Sequence, residues 1–264
     1  MLIKICGITR LEDARFAVDC GASALGFVFW PGSPRSIDPA RAQEIVASLP
    51  PFVTPVGVFV NQPIEYVNGV ASAVGLGVVQ LHGDETVDFA ASLNRPVLKA
   101  LTLSYEGSGF NSDGESGFNA NGESGFNSYV GSGFSRTMDD AGAVEAAPVH
   151  ATLDAAIDRW PSGMTVLLDA HDPVRRGGTG RTIDWTRAAS IAARRPIVLA
   201  GGLNPDNVAD AIARVRPFGI DVSSGVEAAP GVKDHRLLKQ LFDAVREAES
   251  RLSPPRTPWT PRSS

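Results

Sequence analysis

Two cysteines in 264 residues, Cys6 and Cys20, are too few for a disulfide-stapled scaffold. Positive charge is in short supply too: 24 Lys and Arg against 29 Asp and Glu leave a net charge of −5, which argues against nucleic-acid binding as the main task. No apolar run in the sequence reaches the ~18 residues that a membrane-spanning helix needs. The opening MLIKICGITR enters a strand-like run directly and lacks the longer apolar region and small-residue cleavage site of a secretory signal. These absences lead us to expect a cytoplasmic enzyme that engages neither nucleic acid nor membrane.

Apolar residues make up 43% of the chain, enough for one sizeable core. Eight short β-branched runs stand out: LIKICGI (2–8), ALGFVFW (24–30), TPVGVFV (54–60), GVVQLHG (77–83), VLKALTL (97–103), TVLLDAH (165–171), PIVLAGG (196–202) and GIDVSSG (219–225). Amphipathic helical patterns separate them, with readable start and stop signals. Thr9 to Glu12 has capping-box spacing, and Gly21 fits the far end of that helix. Asp38 followed by Pro39 reads as N-cap and first helical position, and Asn204 with Pro205 repeats the device. Thr182 or Asp184 opens another helix, and a long amphipathic one runs from Asp234 to Leu252. Strands alternating with helices imply a parallel sheet with helical crossovers. At this length a (β/α)8 barrel is the expected closure, with an open doubly wound sheet as the alternative.

Two segments break the pattern. Residues 104–147 carry the triplet Ser-Gly-Phe at 108, 116, 124 and 132, a repeat of eight residues after the fifth strand. A loop of that length is uncommon inside a compact domain. The tail SPPRTPWTPRSS (253–264) is Pro-rich and polar, and is expected to be disordered. The expected organisation is one barrel domain, 1–252, interrupted by the 104–147 insertion.

Function in such barrels gathers at the C-terminal strand ends and the loops that follow. Lys4 and Cys6 share one face of the first strand, and Gln80 and His82 one face of the fourth. Asp169 closes the sixth run, and Asp221 and Ser223 share a face of the eighth. Taken singly, each has an ordinary structural explanation: a small core thiol, a satisfied histidine, a capping aspartate. Their joint placement at one mouth points to a site. Cys20, at the end of the first helix, reads as structural. Gly-rich turns follow the sixth, seventh and eighth runs, at Gly178, at Gly201 and Gly202, and at Ser224 and Gly225. Such turns leading into helix N-termini present backbone N–H groups to an anion, so a phosphorylated substrate is expected.

The chain resembles the phosphoribosylanthranilate isomerase family, the tryptophan-pathway barrel. The resemblance rests on KICGIT with EDA, GFVFWPGSPRSI, VGVFVN, VQLHG, LLDA, GGTGRTIDW, LAGGLNPDNV and DVSSGVE. It covers residues 2 to about 245, apart from the repeat.

The resemblance implies an Amadori rearrangement of an N-ribosylated anthranilate phosphate, with no metal and no organic cofactor. It implies Asp169 as the acid and Cys6 as the base. It also implies Arg35 as the holder of the anthranilate carboxylate, and Asp221 near the amino nitrogen and ribose hydroxyls. Gly201, Gly202, Ser224 and Gly225 would cradle the phosphate with Gly178 beside them, while His82 would face the ligand without being catalytic. The acid needs a raised pKa and the thiol a lowered one, and Lys4 beside Cys6 is the cation that would lower it. The loop around Arg35 is turn-rich and shows no evident packing role for an arginine, so Arg35 is expected to serve the ligand more than the fold. A related histidine-pathway isomerase would carry aspartate where Cys6 stands. A barrel that only binds its ligand, with the repeat mediating assembly, is the reading of a different class. Contacts with other enzymes of the pathway do not follow from the sequence.

Overall fold

The computed structural model describes residues 1–102, 153–169 and 185–252. Among these residues, eight parallel strands close into a barrel in chain order. They are β1 (Leu2–Ile5), β2 (Ala24–Val28), β3 (Thr54–Phe59), β4 (Val78–Leu81), β5 (Val97–Thr102), β6 (Val166–Asp169), β7 (Ile197–Ala200) and β8 (Gly219–Val222). Every one falls within a run expected from the sequence. The helices are α1 (Leu11–Cys20), α2 (Pro39–Val46), α3 (Ile64–Val74), α4 (Val87–Ala91), α5 (Leu153–Asp158), α6 (Trp185–Ala192), α7 (Val208–Val215) and α8 (His235–Leu252). The open doubly wound sheet is excluded, because β8 pairs with β1 and shuts the ring.

The strands are apolar on both faces, as strands buried between helices and a filled interior must be. Outward residues such as Ile3, Ile5, Leu25, Phe27, Leu168 and Leu199 join the core beneath the helices. Inward residues stack in layers. Leu98, Ala100, Leu167, Val198 and Ala200 form one cluster. Cys6, Val28 and Val58 form another nearer the mouth. Polar residues interrupt this interior at Lys4 and Gln80, each 1% exposed.

The helix ends follow the expected chemistry in part. Gly21 closes α1 in the left-handed conformation at φ 115, and Asp38 caps α2 by accepting from the Ala40 N–H at 2.8 Å. Two expectations are corrected. The N-cap of α1 is Arg10, not Thr9, because the Thr9 hydroxyl donates instead to the Gly231 carbonyl at 2.5 Å. Asn204 does not cap α7, whose N-cap is Asn207. Asn204 Oδ1 accepts from the N–H groups of Asp206 and Asn207 at 2.9 and 3.1 Å, closing a turn ahead of the helix. The structure also adds a small antiparallel hairpin, β9 (Glu227–Ala229) with β10 (Val232–Lys233), between β8 and α8. The repeat at 104–147, the tail from 253, Thr182 and Asp184 lie outside the described residues. No helix among the described residues is long and apolar enough to cross a membrane.

Candidate active site

The seam between β1 and β8 builds one side of the mouth. Lys4 and Asp221 are registered partners across it, both inward, and Lys4 Nζ donates to Asp221 Oδ1 at 2.9 Å. Cys6 follows one turn of the pleat later, and its N–H donates to the Val222 carbonyl at 2.9 Å, which prolongs the ladder. The Ser223 hydroxyl donates to the Cys6 carbonyl at 3.2 Å. Room for this group comes from Gly26 on β2. A Cβ there would meet Cys6 Sγ at 2.7 Å and Lys4 Nζ at 3.1 Å. An inward glycine inside a strand is the sequence signal for such an approach, and Gly26 was not singled out in the sequence.

The electrostatics of Cys6 differ from expectation. Burial pushes the thiol up; the Lys4 cation pulls it down, the Asp221 carboxylate pushes it up again, and Lys233 also pulls it down. The net result is a raised pKa, where a lowered one was expected, because burial outweighs the pull of the two lysines. Lys4 itself would be depressed by burial, but the charges and hydrogen bonds of Asp221 and Cys6 raise it.

The opposite side of the mouth is formed by β4 and β6. The His82 N–H donates to the Phe59 carbonyl at 2.9 Å, which fixes the residue just past β4. Gln80 Nε2 lies 3.2 Å from His82 Nδ1. His82 Nε2 lies 3.5 Å from Asp169 Oδ2. With the Gln80 amide donating, the neutral ring accepts at Nδ1 and carries its proton on Nε2, facing Asp169. His82 therefore borders the carboxylate expected to be the acid, a relationship the sequence did not suggest. Asp169 sits level with Thr102 of β5 and Ala200 of β7 in the ladder.

Arg35 sits in the loop after β2. No packing role for it was evident in the turn-rich loop, but the structure pairs it with Glu227. Its Nε donates to Glu227 Oε1 and Oε2 at 2.9 and 3.1 Å, and its Nη2 to Oε2 at 2.7 Å. Its chain passes over Gly7, whose φ is 75 and where a Cβ would lie 2.6 Å from Arg35 Cδ. Glu227 and Lys233 were both missed. Their partners are remote in sequence or lie across a hairpin that no local pattern announced.

The Gly-rich turns after β7 and β8 come together. A Cβ on Gly225 would fall 1.9 Å from the Leu203 carbonyl oxygen, so the two loops touch backbone to backbone. Gly201 and Gly202 both have positive φ, 91 and 63. Asn207 Nδ2 donates to the Gly202 carbonyl at 3.0 Å, bracing the turn. Ser224 and Gly225 open a short 3-10 turn, Ser224–Val226. Backbone N–H groups of such turns can bind an anion. Gly178 lies outside the described residues. The structure thus brings Lys4, Cys6 and Asp221 together, His82 with Asp169, and Gly201–Gly202 beside Ser224–Gly225, all at strand C-terminal ends.

Residues 3–112 and 145–244 match the family described as N-(5'phosphoribosyl)anthranilate (PRA) isomerase. The N-(5'-phosphoribosyl)anthranilate isomerase of Pelobacter propionicus is 43% identical over 248 residues, spanning 94% of this chain and 97% of that protein. The protein of that name from Pseudomonas fluorescens is 41% identical over 243 residues, spanning 92% and 97%. Among solved structures, the phosphoribosyl anthranilate isomerase of Thermotoga maritima superposes with a TM-score of 0.72 at 38% identity, covering 94% of this chain and 99% of that one. A phosphoribosyl anthranilate isomerase in complex with reduced 1-(o-carboxyphenylamino)-1-deoxyribulose 5-phosphate gives 0.69 at 37% identity, with coverage of 94% and 99%.

Proposed function

The chain belongs to the N-(5'-phosphoribosyl)anthranilate isomerase family, and from that premise we propose that Cys6 and Asp169 are the base and acid of its reaction. The protein is an isomerase of tryptophan biosynthesis. It converts N-(5-phosphoribosyl)anthranilate to 1-(2-carboxyphenylamino)-1-deoxyribulose 5-phosphate.

The convergence of Lys4, Cys6, His82, Asp169 and Asp221 on one barrel mouth carries this assignment. Asp169 protonates the ribose ring oxygen, and the C1–O bond breaks to leave a Schiff base between C1 and the anthranilate nitrogen. Cys6, as thiolate, removes the C2 proton, and the electron pair moves through C1 to nitrogen. The resulting enolamine regains a proton at C1 from Cys6 and loses its C2 hydroxyl proton to Asp169. Both groups end the cycle as they began. Lys4, held by Asp221, stabilises the thiolate, and Asp221 faces the amino nitrogen and ribose hydroxyls. Arg35 takes the anthranilate carboxylate through its guanidinium fork. The loops at Gly201–Gly202 and Ser224–Gly225, with Gly178, take the phosphate.

A substrate with a phosphate and a carboxylate does not cross membranes unaided, so a cytoplasmic location goes with this reading. The test is turnover of phosphoribosylanthranilate by the purified protein without added metal or cofactor, in wild type and in Cys6→Ala. Ligand binding without turnover in the wild type would exclude the isomerase mechanism and favour a binding barrel.

A further inference from the structure

Glu227 is a buried carboxylate at the mouth of a site whose substrate is itself anionic. Its side chain is 5% exposed. It makes a two-pronged pair with the Nε and Nη2 edge of Arg35. Oε1 also accepts from Lys233 Nζ at 2.8 Å and from the Gly231 N–H at 3.2 Å. Lys233 Nζ in turn donates to the Ser223 carbonyl at 3.2 Å, and the Lys233 N–H to Asp13 Oδ2 at 3.0 Å. Glu227 is therefore anchored to the β9–β10 hairpin, to α1 and to the loop after β8 before it reaches Arg35. Burial alone would raise its carboxyl pKa, but hydrogen bonds from Arg35 and Lys233 outweigh burial and hold it below the ordinary range. It stays ionised at neutral pH.

A guanidinium presents two edges to carboxylates, a side edge through Nε and Nη2 and an end edge through both Nη atoms. Glu227 occupies the side edge. Nη1 donates to none of the described residues. The end edge is the one left for a ligand. The arginine chain is pinned from below as well, since only a glycine at position 7 leaves space for Arg35 Cδ. A guanidinium held on one edge and along its stem has lost most of its rotamer freedom before the ligand arrives, and that loss no longer counts against binding.

We infer that Glu227 is the positioning residue for Arg35, and that through this pair it sets the enzyme's preference for a substrate bearing an aromatic carboxylate. The inference rests on the reading of Arg35 as the carboxylate anchor. It competes with a simpler electrostatic account. If Glu227 only added negative charge to the mouth, removing that charge would tighten the binding of an anionic ligand. If Glu227 positions Arg35, removing it weakens the binding of carboxylated ligands and leaves others unaffected. The two accounts predict opposite signs.

The experiment uses the full chain and two variants. Glu227→Gln removes the charge at nearly constant shape, and Glu227→Asp keeps the charge but withdraws the carboxylate by one methylene. Two probes are compared: reduced 1-(2-carboxyphenylamino)-1-deoxyribulose 5-phosphate and its phenylamino counterpart without the carboxyl group. Both variants are expected to raise KM by roughly tenfold to a hundredfold, with a much smaller change in kcat. The wild-type preference for the carboxylated probe should collapse, while affinity for the carboxyl-free probe stays the same. An unchanged or lower KM, or a retained preference, overturns the positioning role. Should Glu227→Gln fail to fold, Glu227→Asp keeps the negative charge beside Lys233 but draws it back from Arg35, and decides the question alone. Arg35→Ala separates the two layers. If it leaves the preference intact, the anchor reading fails. If it abolishes the preference and both Glu227 variants retain it, the anchor stands and the positioning role fails.

Discussion

Lys4 Nζ donates to Asp221 Oδ1 across 2.9 Å at the seam where β8 closes the barrel on β1, and Cys6 lies two residues along the same strand face. Lys4 thus serves two anions, the aspartate and the thiolate. Because burial leaves the Cys6 thiol above its ordinary range, the free enzyme gains its base only on the alkaline side. The rising limb of kcat/KM against pH is expected to lie above the usual thiol value of about 8.5. Lys4→Gln removes the largest influence that lowers the thiol, so the limb should move to still higher pH. A limb that stays in place or moves down in the variant would take Lys4 out of the thiol's environment.

Asp169 and Cys6 should be separately indispensable. Cys6→Ala and Asp169→Asn are each expected to lower kcat by about 10²–10⁴-fold while the thermal midpoint stays near wild type. The His82 Nε2 to Asp169 Oδ2 distance of 3.5 Å adds a third variant. His82→Phe removes the ring nitrogen that faces the acid, so kcat should fall more than KM rises. Near-normal kcat in Asp169→Asn would remove that residue from the mechanism, and near-normal kcat in His82→Phe would return His82 to a ligand-facing role only.

The inward pattern of the strands was legible in the sequence because alternation depends only on strand geometry. Spacing alone put Lys4 with Cys6, Gln80 with His82 and Asp221 with Ser223 on common strand faces, and Asp169 was readable as the end of the sixth run. What the sequence hid were relationships between residues far apart in the chain. Glu227 finds Arg35 across 192 positions, and Asp13 finds Lys233 across 220. The Thr9 hydroxyl left a readable capping pattern for the Gly231 carbonyl, 222 positions away. The raised Cys6 thiol was hidden for a related reason. Lys4 is adjacent and visible, whereas the burial that outweighs it is a property of the assembled barrel.

Asp13 anchors α1 to the chain ahead of α8 and should carry stability rather than turnover. Its side chain is fully buried and accepts from Arg10 Nε and Nη2 at 2.9 and 2.8 Å and from the Lys233 N–H at 3.0 Å, with His235 Nε2 at 2.9 Å. Burial would raise its carboxyl pKa, but these hydrogen bonds hold it below the ordinary value. Its stabilising effect is therefore present above the unfolded value of about 3.9 and is lost as pH falls through the depressed one. Asp13→Ala is expected to cost about 3 kcal/mol at neutral pH, or roughly 6–12 °C in thermal midpoint. The gap between variant and wild type should narrow on acidification below about pH 4. A gap that widened on acidification would contradict the assignment.

The repeat at 104–147 lies outside the described residues, and we predict that it is a passenger. The family match breaks at this place, running through residue 112 and resuming at 145. On either side the barrel continues without it, since β5 ends at Thr102 and still pairs in register with β6. The segment is rich in Gly, Ser and Asn, and its regular apolar residue is one Phe per eight. Little apolar surface would therefore be lost if it were excised. A long loop costs only about 0.6 kcal/mol per doubling of length, so the barrel tolerates its presence. Its charge points the same way. Residues 104–147 hold seven acidic side chains and one basic, Arg136, a net of −6; removing −6 from −5 leaves the rest of the chain at +1. The insertion follows the fifth strand in the sequence, and removing its charge leaves a chain more favourable to a substrate bearing a phosphate and a carboxylate. Excising residues 106–146 and closing the gap with a short Gly/Ser loop should give a folded isomerase with kcat/KM at or above that of the full chain, and more so at low salt, where screening is weak. A loss of activity beyond about tenfold, or a thermal midpoint that depends on calcium only in the full chain, would show that the repeat has a task of its own.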